Sequence, residues 1–127
     1  DALAAGSAFR VEVAYSGRPG GEFRHTSTGA VAVGEPESAS DWYPANEHPT
    51  DKATYNFEIT VPEGLTAIAN GVPGGSAAAD AGWRTWRWAT TVPMAPRAAR
   101  REVVAKGGFG SSVTLVSSLS IIVEAVR

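Results

Sequence analysis

Alternating hydrophobic and polar residues mark out the first elements of this chain. In "FRVEVAY", Phe9, Val11, Val13 and Tyr15 fall on one side and Arg10, Glu12 and Ala14 on the other, the period of two expected of a half-buried strand. "TYNFEITV" repeats the pattern, with Tyr55, Phe57, Ile59 and Val61 set against Thr54, Asn56, Glu58 and Thr60. "WRTWRWAT" places Trp86 and Trp88 on one face with Arg87 opposite. These runs predict three strands. Two later runs, "SVTLV" and "LSIIVEAV", are apolar and rich in β-branched residues and predict two more, suited to buried positions.

Between the strands the turn signals are dense. "SGRPGG" punctuates the chain after Tyr15, and "PEG" closes the strand that ends at Val61. Asn70-Gly71 predicts a type I′ turn that folds the next segment back on "LTAIAN". "GVPGGSAAADAG" reads as an exposed loop of small residues, and "APRAARREVVAKGGFG" as a short helix, since Ala, Arg, Glu and Lys favour one. The expected architecture is all-β: a single antiparallel domain over 1–127, built as a β-sandwich or a saddle-shaped pair of sheets.

Composition narrows the function classes. A chain of 127 residues fits one domain able to bury a core, and no apolar run nears the roughly 20 residues a bilayer-crossing helix needs. The formal charge is −2, and only Arg97, Arg100 and Arg101 cluster. No concentrated basic face is expected, so neither nucleic acid nor membrane is expected as a partner. Cysteine is absent, which excludes disulfides, thiolate metal sites and thiol nucleophiles. It leaves the compartment open between the cytoplasm and secretion.

Candidate chemistry is thin. Glu35, His25, Glu47, His48 and Asp51 could ligate zinc, but no H-E-x-x-H occurs and Pro49 follows His48 directly, so no metal site is expected. No G-x-S-x-G supports a serine nucleophile, and "GGFG" lacks the lysine of a phosphate loop. Glu35 and Glu37 stand two apart and could act together if they share a strand face, although a solvated strand end explains them equally well. Trp83, Trp86 and Trp88 could form a stacking platform or fill a core.

Taken in order, "GEPESASDWYPANEHPTDKATYNFEITVPEGLTAIANG" followed by "WRTWRWATTVPMA" resembles the N-terminal domain of zinc aminopeptidases of the aminopeptidase N family. The resemblance spans residues 3–95, and 96–127 form a divergent tail in which "PRAARREVVAKGG" replaces the family's usual continuation. It implies that the Trp-Tyr-Pro block is scaffold: Pro44 and Pro49 fix φ, Asn46 and Asp51 bond nearby backbone, Lys52 pairs with an acid, and His48 is no zinc ligand. It implies one functional place, where Glu37, with Glu35 beside it, binds a substrate's free amino group. Ser38 stands where related bacterial sequences often have glycine.

The family's zinc-binding helix and exopeptidase motif belong to a following catalytic domain without counterpart in these residues. The resemblance therefore implies no catalytic residue, no cofactor held by this chain and no peptidase activity of its own. The expected function is that of a non-catalytic domain that covers a catalytic cleft and anchors peptide N-termini. The expected partner is a peptidase catalytic domain. An alternative is an independent binding protein, such as a peptidase inhibitor presenting residues 71–82 or 95–110 to another protease. Self-association through unpaired sheet edges is a further expectation.

Overall fold

The computed structural model describes residues 4, 7, 9–18, 20–27, 29–35, 37–98 and 100–105, with only the backbone of 97 and 100–105. Seven strands follow in chain order: β1 Phe23–Thr26, β2 Gly29–Val33, β3 Asn56–Pro62, β4 Leu65–Ala69, β5 Val72–Ala78, β6 Trp83–Ala89 and β7 Arg100–Ala105. They form two antiparallel sheets, one ordered β1-β2-β7-β4 and the other β3-β6-β5. Short 3-10 turns at Ala39–Asp41 and Pro96–Ala98 complete the regular structure, and there is no α-helix among the described residues. The expected all-β, two-sheet architecture is the one observed.

The core lies between the sheets, and its two walls differ in size. β3 contributes Phe57, Ile59 and Val61, all nearly inaccessible to solvent, and β6 adds Trp86 and Trp88. The facing sheet answers with small side chains, Ala30 and Ala32 from β2 and Ala67 from β4, with Leu65 at the end. Bulky residues opposite small ones let the sheets approach and interdigitate. Tyr55 stacks on Phe57 with ring centroids 5.7 Å apart.

The two half-buried tryptophans also join the sheets by hydrogen bonds. Trp86 Nε1 donates to the Leu65 carbonyl at 3.1 Å, and Trp88 Nε1 to the Ala67 carbonyl at 3.0 Å. Carbonyls two residues apart point to the same side of a strand, and among the described residues β4 is paired by β7 on one side only. The indoles thus close the edge of β4 that no strand covers among the described residues, satisfying groups that would otherwise be costly to bury. On the other face of the β3-β6 pair, Thr60 and Thr85 bond at 2.8 Å and Arg87 pairs with Glu58 at 2.7 Å, directly opposite in register.

Several segments depart from the sequence expectations. Residues 9–15 carry the right alternation but form no strand, and Phe9, Val11 and Val13 are 42%, 55% and 49% exposed. Alternation defines a face, but a strand also needs a neighbour to take its ladder hydrogen bonds. The supposed loop after Gly71 is strand β5, paired with β6. Its small residues offer little side-chain packing, yet backbone pairing to a well-anchored neighbour suffices, and a bulge between Pro73 and Ser76 absorbs the glycines.

Asn70-Gly71 does not form the expected type I′ turn, which needs positive φ at both central residues: Gly71 has φ +105° and Asn70 is not in that region. It serves as a corner between sheets, because β4 pairs with β7 and β5 with β6. The expected helix after Ala95 is, over Arg100–Ala105, strand β7, seated between β2 and β4. Backbone pairing on both sides outweighs a weak helix propensity. The strands expected in "SVTLV" and "LSIIVEAV" lie outside the described residues.

Candidate functional site

The two candidate carboxylates sit on the turn that leaves β2. Glu35 and Glu37 are both exposed, so each can meet a ligand without prior desolvation. The turn beneath them is held by Ser38, which is buried to 6% exposure. Its backbone N–H donates to the Gly34 carbonyl at 3.1 Å, and its hydroxyl lies 2.9 Å from the Val33 carbonyl and 3.5 Å from that of Glu35. Ser38 has φ −129°, a conformation any residue adopts, so a side chain here costs no backbone strain. Serine in place of glycine supplies a hydroxyl that closes the loop.

Beyond Ser38 the chain enters the 3-10 turn Ala39–Asp41, packed from two sides. Ala39 is fully buried. Gly21, with φ +52°, approaches so near that a Cβ there would lie 1.8 Å from an Asp41 carboxylate oxygen. A side chain there would push the Asp41 carboxylate aside and would sit at a positive φ, which glycine adopts without strain. Trp42 and Tyr43 then plunge into the core with rings 4.5 Å apart, and the Tyr43 hydroxyl donates to the Pro96 carbonyl at 3.0 Å.

The block from Pro44 to Tyr55 behaves as a knot of local hydrogen bonds. Asn46 accepts from the His48 backbone N–H at 3.2 Å and donates its amide to the Asp51 carboxylate. Thr50 meets His48 Nδ1 at 2.8 Å, and the Asp51 N–H donates to the His48 carbonyl at 3.1 Å. Ala53 bridges to Met94, and Tyr55 and Thr90 exchange bonds of 2.7 and 2.8 Å. Asp51 accordingly takes a side-chain partner where a backbone one was expected, and Lys52 is exposed with no ion pair recorded among the described residues. Burial raises the Tyr55 phenol above its ordinary value, with a hydrogen bond to Tyr43 pulling the other way.

Glu47 is the residue that sequence reasoning undervalued. It alone among the described non-glycine residues has positive φ, +60°. Its carboxylate Oε1 accepts from the Ser40 backbone N–H, inside the 3-10 turn next to Glu37, and its Oε2 is buried with no hydrogen-bond partner among the described residues. The acid in Pro-Ala-Asn-Glu-His-Pro was visible as a potential ligand, but nothing in the pattern announces a left-handed residue reaching seven positions back. His25 lies on β1 with its ring edge against Phe23, and no group of three or more possible metal ligands assembles among the described residues.

The proposed stacking platform resolves into structure: Trp86 and Trp88 pack on the core with their N–H groups used internally. Of the two segments that could present an inhibitory loop, 71–82 is strand over Val72–Ala78, and 95–110 is strand over Arg100–Ala105.

The peptidase M1 N-terminal domain profile matches residues 7–96, most of the chain. This chain belongs to that family. The solved structures agree. It is 28% identical to a two-domain M1 zinc metallopeptidase, crystallised as a mutant bound to L-arginine, with a TM-score of 0.61 over 68% of this chain and 19% of that one. It shares the fold of the M1 zinc metallopeptidase from Deinococcus radiodurans, with 24% identity and a TM-score of 0.61 over 77% of this chain and 24% of the other. The chain thus spans about a fifth to a quarter of those peptidases, and the family match is to their N-terminal domain. No curated protein matches it.

Proposed function

We propose that this domain serves an M1 aminopeptidase as a non-catalytic binding element, covering the catalytic cleft and presenting Glu37, with Glu35 beside it, to the free amino group of a peptide substrate. The observation that carries this reading is the pair of exposed carboxylates on a turn pinned by the buried Ser38. A carboxylate is the natural partner of an ammonium, and a fixed turn reduces the ordering cost of meeting it. The L-arginine held by one related peptidase is a ligand of the same chemical kind, an amino acid with a free amino group. Hydrolysis itself belongs to a zinc-bearing catalytic domain, since these residues contain no H-E-x-x-H. An inhibitor role has no observation in its favour, because the segments it would use as free loops contain paired strands.

The test is kinetic. The chain is combined with a purified M1 catalytic domain, and hydrolysis of an aminoacyl amide is measured with Glu37→Gln, Glu35→Gln and the double substitution. Loss of a charge-assisted contact worth about 1.5–3 kcal/mol raises KM roughly ten- to a hundredfold. Hydrolysis indifferent to the chain, or a KM unchanged in the double variant, overturns the proposal.

A further inference from the structure

Two costs converge on Glu47. A non-glycine residue at φ +60° is held in a sparsely populated region, and a buried carboxylate oxygen without a partner forfeits its hydration. Such costs persist where surrounding structure over-determines them. What Glu47 gains among the described residues is one hydrogen bond: Oε1 accepts the Ser40 N–H. Ser40 lies in the 3-10 turn Ala39–Asp41, and Ser38, which directly precedes that turn, fastens the Glu35–Glu37 loop to the end of β2. The Glu47 backbone is fixed in turn by the Asn46, His48 and Asp51 bonds on either side of it.

We infer that Glu47 is a positioning residue: its carboxylate ties the Pro-Ala-Asn-Glu-His-Pro block to the 3-10 turn that directly follows the Glu35–Glu37 loop, setting the C-terminal side of that loop and so where those carboxylates stand. The role in amino-group recognition rests on the function proposed above; the mechanical tie does not. Two lines of bonds converge on the turn, one from Ser38 to β2 and one from Glu47 to the block. Ser38 fixes the loop's base, and Glu47 fixes the direction in which the following turn continues. Because the residue sits at positive φ, glycine at this position relieves the backbone while deleting the carboxylate, and glutamine keeps an acceptor while deleting the charge. The two variants therefore separate strain from contact.

The experiment is amide hydrogen exchange by NMR on the 127-residue chain. In Glu47→Gly the Ser40 amide loses at least tenfold in protection while the Ile59 amide, inside the β3-β6 pair, is unchanged; in Glu47→Gln the Ser40 amide stays within a fewfold of the parent. Equal Ser40 protection in the parent and Glu47→Gly overturns the inference. Should Glu47→Gly not fold, the unsubstituted chain still decides: the Ser40 amide shift must titrate with the Glu47 side-chain carboxyl, and a Ser40 shift indifferent to that titration refutes the tie. With a catalytic domain present, Glu47→Gly raises KM with kcat unchanged, in the sense of the Glu37 and Glu35 substitutions. If those substitutions are silent, the functional proposal fails while the exchange result still judges the tie. If they raise KM but Glu47→Gly does not, the positioning role fails alone.

Discussion

Replacing Trp88 by phenylalanine keeps an aromatic ring in the core and deletes the indole N–H that reaches the Ala67 carbonyl at 3.0 Å. Ala67 is wholly inaccessible to solvent, so its carbonyl cannot recruit water in exchange. The cost therefore falls toward that of an unsatisfied buried acceptor, about 2–3 kcal/mol, above the roughly 1 kcal/mol of an average hydrogen bond. Trp86→Phe deletes the equivalent bond to Leu65, which keeps 7% of its surface, and water can partly replace it. That variant should lose only about 1–2 kcal/mol.

Both values are read from urea unfolding followed by far-UV circular dichroism. They correspond to a fall in Tm of about 3–5 °C per kcal/mol for a domain of this size. The ranking matters more than either number. If Trp88→Phe costs no more than about 0.5 kcal/mol, in the range of an ordinary surface change, the indoles do not close the edge of β4 and the account of the sheet junction is wrong.

Three further outcomes follow from the same structure. Because the folded Tyr55 phenol lies above its ordinary value, its contribution to stability is complete below about pH 10 and is lost as pH rises through the folded value; the parent should lose up to about 1.4 kcal/mol per pH unit more than Tyr55→Phe across that alkaline window, measured by urea titration at stepped pH. Gly71→Ala puts a Cβ 2.1 Å from the Ala89 carbonyl oxygen at φ +105° and should cost about 3 kcal/mol or more, whereas Gly64→Ala, at φ +92° in open space, should cost about 1–2 kcal/mol; equal thermal shifts for the two would refute the clash. Arg87→Ala breaks an ion pair to Glu58 whose side chains are about half exposed, and should change unfolding free energy by less than about 1 kcal/mol, diminishing further in salt.

The residues most readable from the chain were those whose pattern and environment agree. Phe57, Ile59 and Val61 alternate in sequence and alternate into the core, and Trp86 and Trp88 share a face as their spacing required. Strand β5 was hidden because Ser76, Ala77 and Ala78 form strand through a neighbour's backbone, and the two glycines before them sit in a bulge, so the segment carries no side-chain signal of a strand. β7 was hidden for the related reason that Arg-Arg-Glu-Val-Val-Ala has helix-compatible composition until two flanking strands claim its backbone. Residues 9–15 show the converse, a strand-like pattern for which the fold provides no ladder. At the candidate site, the motif singled out Glu35 and Glu37, and the structure places both exposed on the turn after β2. The hydroxyl bond of Ser38 and the backward reach of Glu47 depend on dihedral angles that residue identity does not announce.

The position of β7 sets the order in which the molecule can assemble. The β3-β6-β5 sheet is drawn entirely from Asn56–Ala89 and can close as soon as that stretch has been made. The other sheet cannot: Gly29 pairs with Val104 and Leu65 with Ala105, so the β1-β2 hairpin and β4 must wait, separated, for nearly the last described residues. On the ribosome this leaves a half-built molecule whose second sheet is an open slot, exposed until translation has passed Ala89 and gone on to deliver Arg100–Ala105 to it.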